Sequence, residues 1–153
     1  MTTPERVAEV ARSWIGTPFY PHAAKKGVGA DCVQLALEIY IEAGVLPAGT
    51  TLPKYSLDAG DHRDESMVIQ WLSASPDFEP ESEHPTLGSL ITLNVGRVVH
   101  HVGIMTGATL FVQSIRRYGV VERDLRDSTW SSRLRGSWKP KALCPSSSGA
   151  QKT

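Results

Sequence analysis

Apolar residues recur at helical spacing from the start of the chain. Val7, Val10, Ala11, Trp14 and Ile15 fall on one face of a first helix. Thr3 is placed to cap it and Pro4 to fill its first position. Gly16 ends it, and Pro18 forbids continuation. The stretch "TPFYPHAAKKGVGA" reads as a loop. A second helix begins at Asp31 or Cys32 and runs to Gly44. Asp31 is its expected N-cap, and Gln34 can return the contact as in a capping box. Residues 45 to 63 look loop-like. "RDESMVIQWLSA" fits a short third helix with Met67, Val68, Trp71 and Leu72 as its buried stripe.

The period then changes. "SPDFEPESEHPT" reads as an exposed acidic connection. After it, "SLITL", "VVHHVGIM", "LFVQSI" and "GVVERDL" are short, β-branched and separated by glycines, so they read as strands. "DSTWSSRLR" fits a helical turn and "GSWKPKAL" a last strand. Helices first and strands later predict an α+β fold, with N-terminal helices packed on an antiparallel sheet. The chain of 153 residues suits one domain, expected over 1–143, followed by a mobile tail over 144–153.

Composition narrows the classes. No stretch approaches the length of a membrane span. The N-terminus lacks the basic-then-apolar pattern of an export signal, so synthesis in the cytoplasm is expected. Formal net charge is zero, and nothing demands a nucleic acid partner. Charge is uneven, however. Residues 58 to 83 carry eight acidic side chains against one arginine, while 97 to 141 carry nine Lys or Arg against three acidic. Two differently charged solvated faces account for this, as would a basic face meeting an anionic polymer or a partner protein. Cys32 and Cys144 are too few for a disulfide scaffold, and two free thiols are expected.

One of those cysteines stands where a glycine-bearing stretch becomes a helix. A thiol attacks only as thiolate. A helix N-terminus offers partial positive charge and unpaired N–H groups, which favour the thiolate and can hold an oxyanion. The Asp31 charge opposes the first effect. A buried, inert cysteine is the competing reading.

A base is the next requirement. In "RVVHHVGIMTGATLFVQSIRRYGVV", a reversal around Thr106-Gly107-Ala108 makes a hairpin in which paired positions sum to 214. His101 then lies opposite Gln113 on one face, and His100 points the other way. The glutamine can fix the imidazole tautomer and aim the second ring nitrogen at a thiol. A structural histidine is the alternative. No CxxC, HxxxH or HExxH spacing occurs, so no metal is expected. No phosphate loop, dinucleotide motif or GxSxG is present, and no cofactor is expected.

Taken in order, "WIGTPF…KKGVGADCVQL", "GSLITL", "HVGIMTG…FVQSI…GVV" and "LRGSWKP" resemble the NlpC-type cysteine peptidases, papain-like hydrolases of bacterial cell-wall peptides. The likeness runs from about Val7 to Pro140. It implies Cys32 as nucleophile, His101 as general base and Gln113 as the third, orienting residue, which is often histidine in the family. The family's tyrosine after "GTP" is replaced by Phe19, with Tyr20 next to it. Val33, Gln34 and Leu35 stand where relatives carry glycine and then leucine or phenylalanine. Phe19, Tyr20, His22 and Asp31 are the expected substrate-side residues, His22 being alternatively a solvent-exposed loop histidine.

The implied substrate is the peptidoglycan stem peptide, cleaved at the γ-linkage between D-glutamate and a diamino acid. "GVGADC" with a terminal "SWKP" looks most like members encoded with phage tails, prophages and gene-transfer particles. This implies delivery to the wall in a tail or by an export machine. An amidase or acyltransferase on another amide or lipid, and a tail-assembly binding module without activity, are the other functions such a chain would serve.

Overall fold

A computed structural model describes residues 2–53, 55, 67–95 and 98–144. The start of the expected third helix at 63–66, the side chain of His100 and the tail beyond Cys144 lie outside the described residues.

Helix α1 spans Pro4–Ser13, with the Thr3 hydroxyl accepting from the Arg6 N–H at 3.0 Å. Val7, Val10 and Ala11 are buried, as is Trp14, which closes the helix as its C-cap. Ile15 was expected on the same stripe but is 46% exposed. It lies past the cap, where the helical period no longer sets direction. The following loop also differs from expectation. It contains a small antiparallel hairpin of β1 (Ala24–Lys25) and β2 (Gly29–Ala30), with Phe19 bridged in parallel to Ala30. Helix α2 follows over Cys32–Glu42 and buries Leu35, Ala36, Ile39 and Tyr40. Helix α3 spans Met67–Ala74. Of its expected stripe, only Leu72 is fully buried; Met67, Val68 and Trp71 are half-buried.

Six strands form one antiparallel sheet: β3 (Phe78–Pro80), β4 (Leu90–Val95), β5 (Val98–Met105), β6 (Leu110–Ile115), β7 (Gly119–Asp124) and β8 (Leu134–Pro140). The order is β3-β8-β4-β5-β6-β7, and a single helical turn, α4 (Ser128–Ser131), precedes β8. The acidic connection is thus not wholly exposed: it supplies β3, whose Phe78 is buried against Tyr40 and Trp71. Period-two alternation gives the sheet two buried faces. Leu90, Val102, Ile104, Val112 and Val120 join α1 and α2 in the main core. Ile91, Leu93, Met105 and Phe111 form a second cluster under Leu125, Trp130 and Leu134.

The β5–β6 hairpin turns one residue later than expected. Thr106 and Gly107 both donate to the Leu110 carbonyl, at 2.9 and 3.3 Å, and Ile104 pairs with Val112 and Met105 with Phe111. Paired positions therefore sum to 216 rather than 214. A shift of two leaves every side chain on its face, because the strand period is two. Arg12 ties α1 to this turn, donating to the Thr106 carbonyl and to Glu122, both at 2.9 Å.

Main-chain bonds fasten the start of the loop before α2 to the sheet. Val120 N–H donates to the Thr17 carbonyl at 2.8 Å, and Gly16 N–H donates to the Val120 carbonyl at 3.1 Å. Gly119 makes that approach possible. Its φ is +74°, and a Cβ there would lie 2.5 Å from the Thr17 oxygen. Gly119→Ala combines a left-handed backbone with a collision against main chain. We expect a loss of more than about 2 kcal/mol of stability, read as a lowered midpoint in chemical denaturation.

Candidate active site

The site is built around the start of α2. Asp31 has no exposed surface, yet its carboxylate has three donors. Oδ1 accepts from the Gln34 N–H at 2.7 Å, which is the expected N-cap bond. Oδ2 accepts from the His22 N–H and from the Tyr55 hydroxyl, each at 2.6 Å. Buried carboxylates persist when their lone pairs are filled in this way. The Gln34 side chain acts on Tyr55, and the Asp31 N–H that a capping box would use donates to the Ala23 carbonyl at 3.3 Å. His22 holds a left-handed backbone (φ +61°), rare for a residue with a side chain, and its ring lies 4.6 Å from that of Tyr55. Burial and the bond to Asp31 push the Tyr55 phenol well above its ordinary range.

Cys32 is buried in the first turn of α2. The backbone N–H groups of Val102, Cys32 and Val33 act on its sulfur, each lowering the thiol's pKa. The Val102 bond follows from strand geometry. Along an antiparallel strand, successive N–H groups point alternately to the two neighbours. Thr106 donates toward β6 and Met105 toward the β4 side, to Ser89, so Val102 also points toward β6. The β5–β6 pairing comprises Ile104–Val112 and Met105–Phe111. Past Ile104 the ladder opens, and the sulfur occupies the place of a strand partner.

The side chains of His101 and Gln113 reach across the same opening. His101 Nε2 and Gln113 Oε1 are 2.5 Å apart, with Gln113 fully buried and His101 nearly so. In register 216 they are diagonal neighbours rather than directly opposed, still close enough for long side chains to meet. An amide oxygen only accepts, so this contact puts the ring proton on Nε2 and leaves the lone pair on Nδ1. The Gln113 Nε2 atom is buried with no partner among the described residues. Gly103 keeps this side of β5 bare. A Cβ there would lie 2.9 Å from the Phe111 ring.

The helix start was expected to favour the thiolate. The three N–H groups do lower the Cys32 pKa, but burial outweighs them and the Asp31 charge adds to it, lifting the thiol from an ordinary 9.0 to about 12. Burial thus disfavours the Cys32 thiolate.

The remaining expected residues flank this centre. Phe19 is half-buried beside Ala30, and the Arg116 guanidinium stands 5.0 Å over its ring. Ser114, two residues before Arg116, donates to the Ala30 carbonyl at 2.7 Å. Tyr20 is 64% exposed. Tyr55, Arg116 and the Val102 N–H were missed by sequence reasoning. Tyr55 is the lone aromatic of the loop "TLPKYSLDAG", which was the available signal. Among the described residues no group of three His, Cys, Asp or Glu side chains is placed to hold a metal ion. Cys144 is free and half-buried, its thiol 3.2 Å from a Glu79 carboxylate oxygen.

No family model matches the chain, and no curated protein matches it. Solved structures do. The NlpC/p60 domain of the peptidoglycan hydrolase SagA superposes with a TM-score of 0.59 at 14% identity, covering 89% of this chain and 97% of that one. NlpC2 from Trichomonas vaginalis gives 0.62 at 15% identity, covering 89% of this chain and 47% of that one. An NlpC/P60 family protein from Bacillus cereus gives 0.59 at 20% identity, covering 88% and 39%. The chain thus spans nearly all of the SagA domain and less than half of the other two. The fold is the papain-like NlpC/p60 α+β arrangement. No helix among the described residues is long and apolar enough to cross a membrane.

The raised thiol carries a pH signature. In a Cys144→Ser background, alkylation of Cys32 by iodoacetamide follows its thiolate fraction. We expect the rate to keep climbing, about tenfold per pH unit, beyond pH 9. The same shift makes neutral burial stabilising up to pH 9 and erodes that stability between pH 9 and about 12.

Proposed function

We propose that this protein is a cysteine peptidase of bacterial cell-wall peptides, with Cys32 as nucleophile, His101 as general base and Gln113 as the residue that orients His101. The observation that carries the reading is the His101–Gln113 contact at the same opening of the sheet that receives the Cys32 sulfur. The fold supports it: SagA, whose NlpC/p60 domain shares it, is a peptidoglycan hydrolase.

In this mechanism substrate entry brings Cys32 to reaction. His101 Nδ1 takes the thiol proton as the sulfur attacks the scissile carbonyl, and the Cys32 N–H helps hold the oxyanion. Collapse forms a thioester while His101 returns the proton to the leaving amine. Water, deprotonated by the same histidine, then releases the acid and restores the thiol. A thiol whose ionisation burial opposes suits a scheme in which base and nucleophile act together. The amide of Gln113 orients the ring without adding charge.

The substrate we propose is the stem peptide, cut at the γ-D-glutamyl–diamino acid bond. Such peptides carry carboxylates, and Arg116, cupped on Phe19 beside the strand that leads to Cys32, is suited to receive one. An apolar hollow beside Val33 and Val102 bears on the lipid alternative. Its volume is about 50 Å³, a third of the ~150 Å³ that admits benzene, which suits a small apolar group. Action at the wall after delivery in a phage tail or similar particle is the setting we propose, on the resemblance carried by "GVGADC" and "SWKP".

Incubation with purified muropeptides and mass analysis of the products tests the reaction. Cys32→Ala should keep the fold by circular dichroism and lose at least about 10³-fold in turnover; cleavage at the original rate overturns the assignment. Arg116→Met should raise KM about tenfold for a peptide with free carboxylates and leave its amidated counterpart unchanged.

A further inference from the structure

Tyr55 comes from the connection between α2 and α3, far from every motif, yet it reaches the residue before the nucleophile. Its hydroxyl donates to Asp31 Oδ2, the same oxygen that the His22 N–H contacts. The His22 ring lies against its ring, and Gln34 touches its hydroxyl from α2. Its ring also borders the apolar hollow that Val33 and Val102 line, and Cys32 is near enough to act electrostatically on its phenol. Asp31 is fully buried and adjacent to Cys32 in sequence. An unneutralised charge there would act on the sulfur through a medium of low polarity, where charges couple strongly.

We propose that Tyr55 is a positioning residue for Cys32: by donating to Asp31 it fixes that carboxylate and offsets its negative charge, so that the Cys32 thiolate forms more readily. Among the described residues, the groups facing this pair are these. Asp31 carries the charge next to the sulfur. Tyr55 and His22 face it from the loops. His101 faces the opening from β5 and Gln113 from β6, while Gln34 and Val33 belong to α2 itself. Removing the hydroxyl leaves Asp31 with two backbone donors and more uncompensated charge.

The proposal deepens the reading of Cys32 as nucleophile, but its test needs no wall substrate. The full chain carrying Cys144→Ser is treated with iodoacetamide at fixed pH 8, and Cys32 modification is followed by mass. Tyr55→Phe should slow alkylation about three- to tenfold, the change expected for a thiol pKa raised by half to one unit. In an Asp31→Asn background the same substitution should change nothing. A merely structural role predicts the opposite direction, because loosening the site exposes a buried thiol and speeds its modification. An unchanged or faster rate in Tyr55→Phe overturns the proposal, as does slowing that persists with Asp31→Asn. Failure to cleave muropeptides would count against the peptidase reading and leave this result standing.

Discussion

A buried carboxylate organises the site. Asp31 caps α2 through Oδ1, and through Oδ2 it gathers the loop at His22 and the α2–α3 connection at Tyr55. Three segments distant in sequence thereby meet at the first turn of one helix. A buried ion without partners costs several kcal/mol, so these donors are conditions for the fold as much as contacts within it. The placement of Cys32 follows from that anchoring, since the cysteine is the next residue.

The sheet supplies the other half through an interruption. A continuous β5–β6 ladder would use the Val102 N–H and close the space that the sulfur enters. Opening the strands past Ile104 releases that donor and leaves His101 and Gln113 to bridge with side chains what main chain does not. Gly103 stands at the transition, where any side chain would meet the Phe111 ring. Gly119 does comparable service on β7, letting Thr17 approach main chain to main chain.

Much of this was legible in the chain. The cap at Asp31, the start of α2 and the strands β4 to β7 follow from local chemistry and period, which act within a few residues. The pairing of His101 with Gln113 survived a register error because an even shift preserves the face. What escaped was set by distant partners. Phe78 lies in an acidic stretch, and only β8 makes a strand of it. Tyr55 has no periodic neighbours, and its role depends on a carboxylate 24 residues earlier. Ile15 kept its apolar character but lost its direction once Trp14 had closed the helix. The ionisation of Cys32 was half legible for a related reason: the N–H groups of the helix start are visible in sequence, whereas the depth of burial that opposes them is not.

The place of β8 also bears on how the molecule comes into being. It lies between β3 and β4, although it follows both in the chain. During synthesis those two strands have no common neighbour until residues 134–140 emerge, and the sheet remains in two pieces. Such late, long-range stitching slows folding. It also means that a nascent or prematurely ended chain lacks the strand joining Phe78 to Leu90, the residues that floor the helix bearing the thiol.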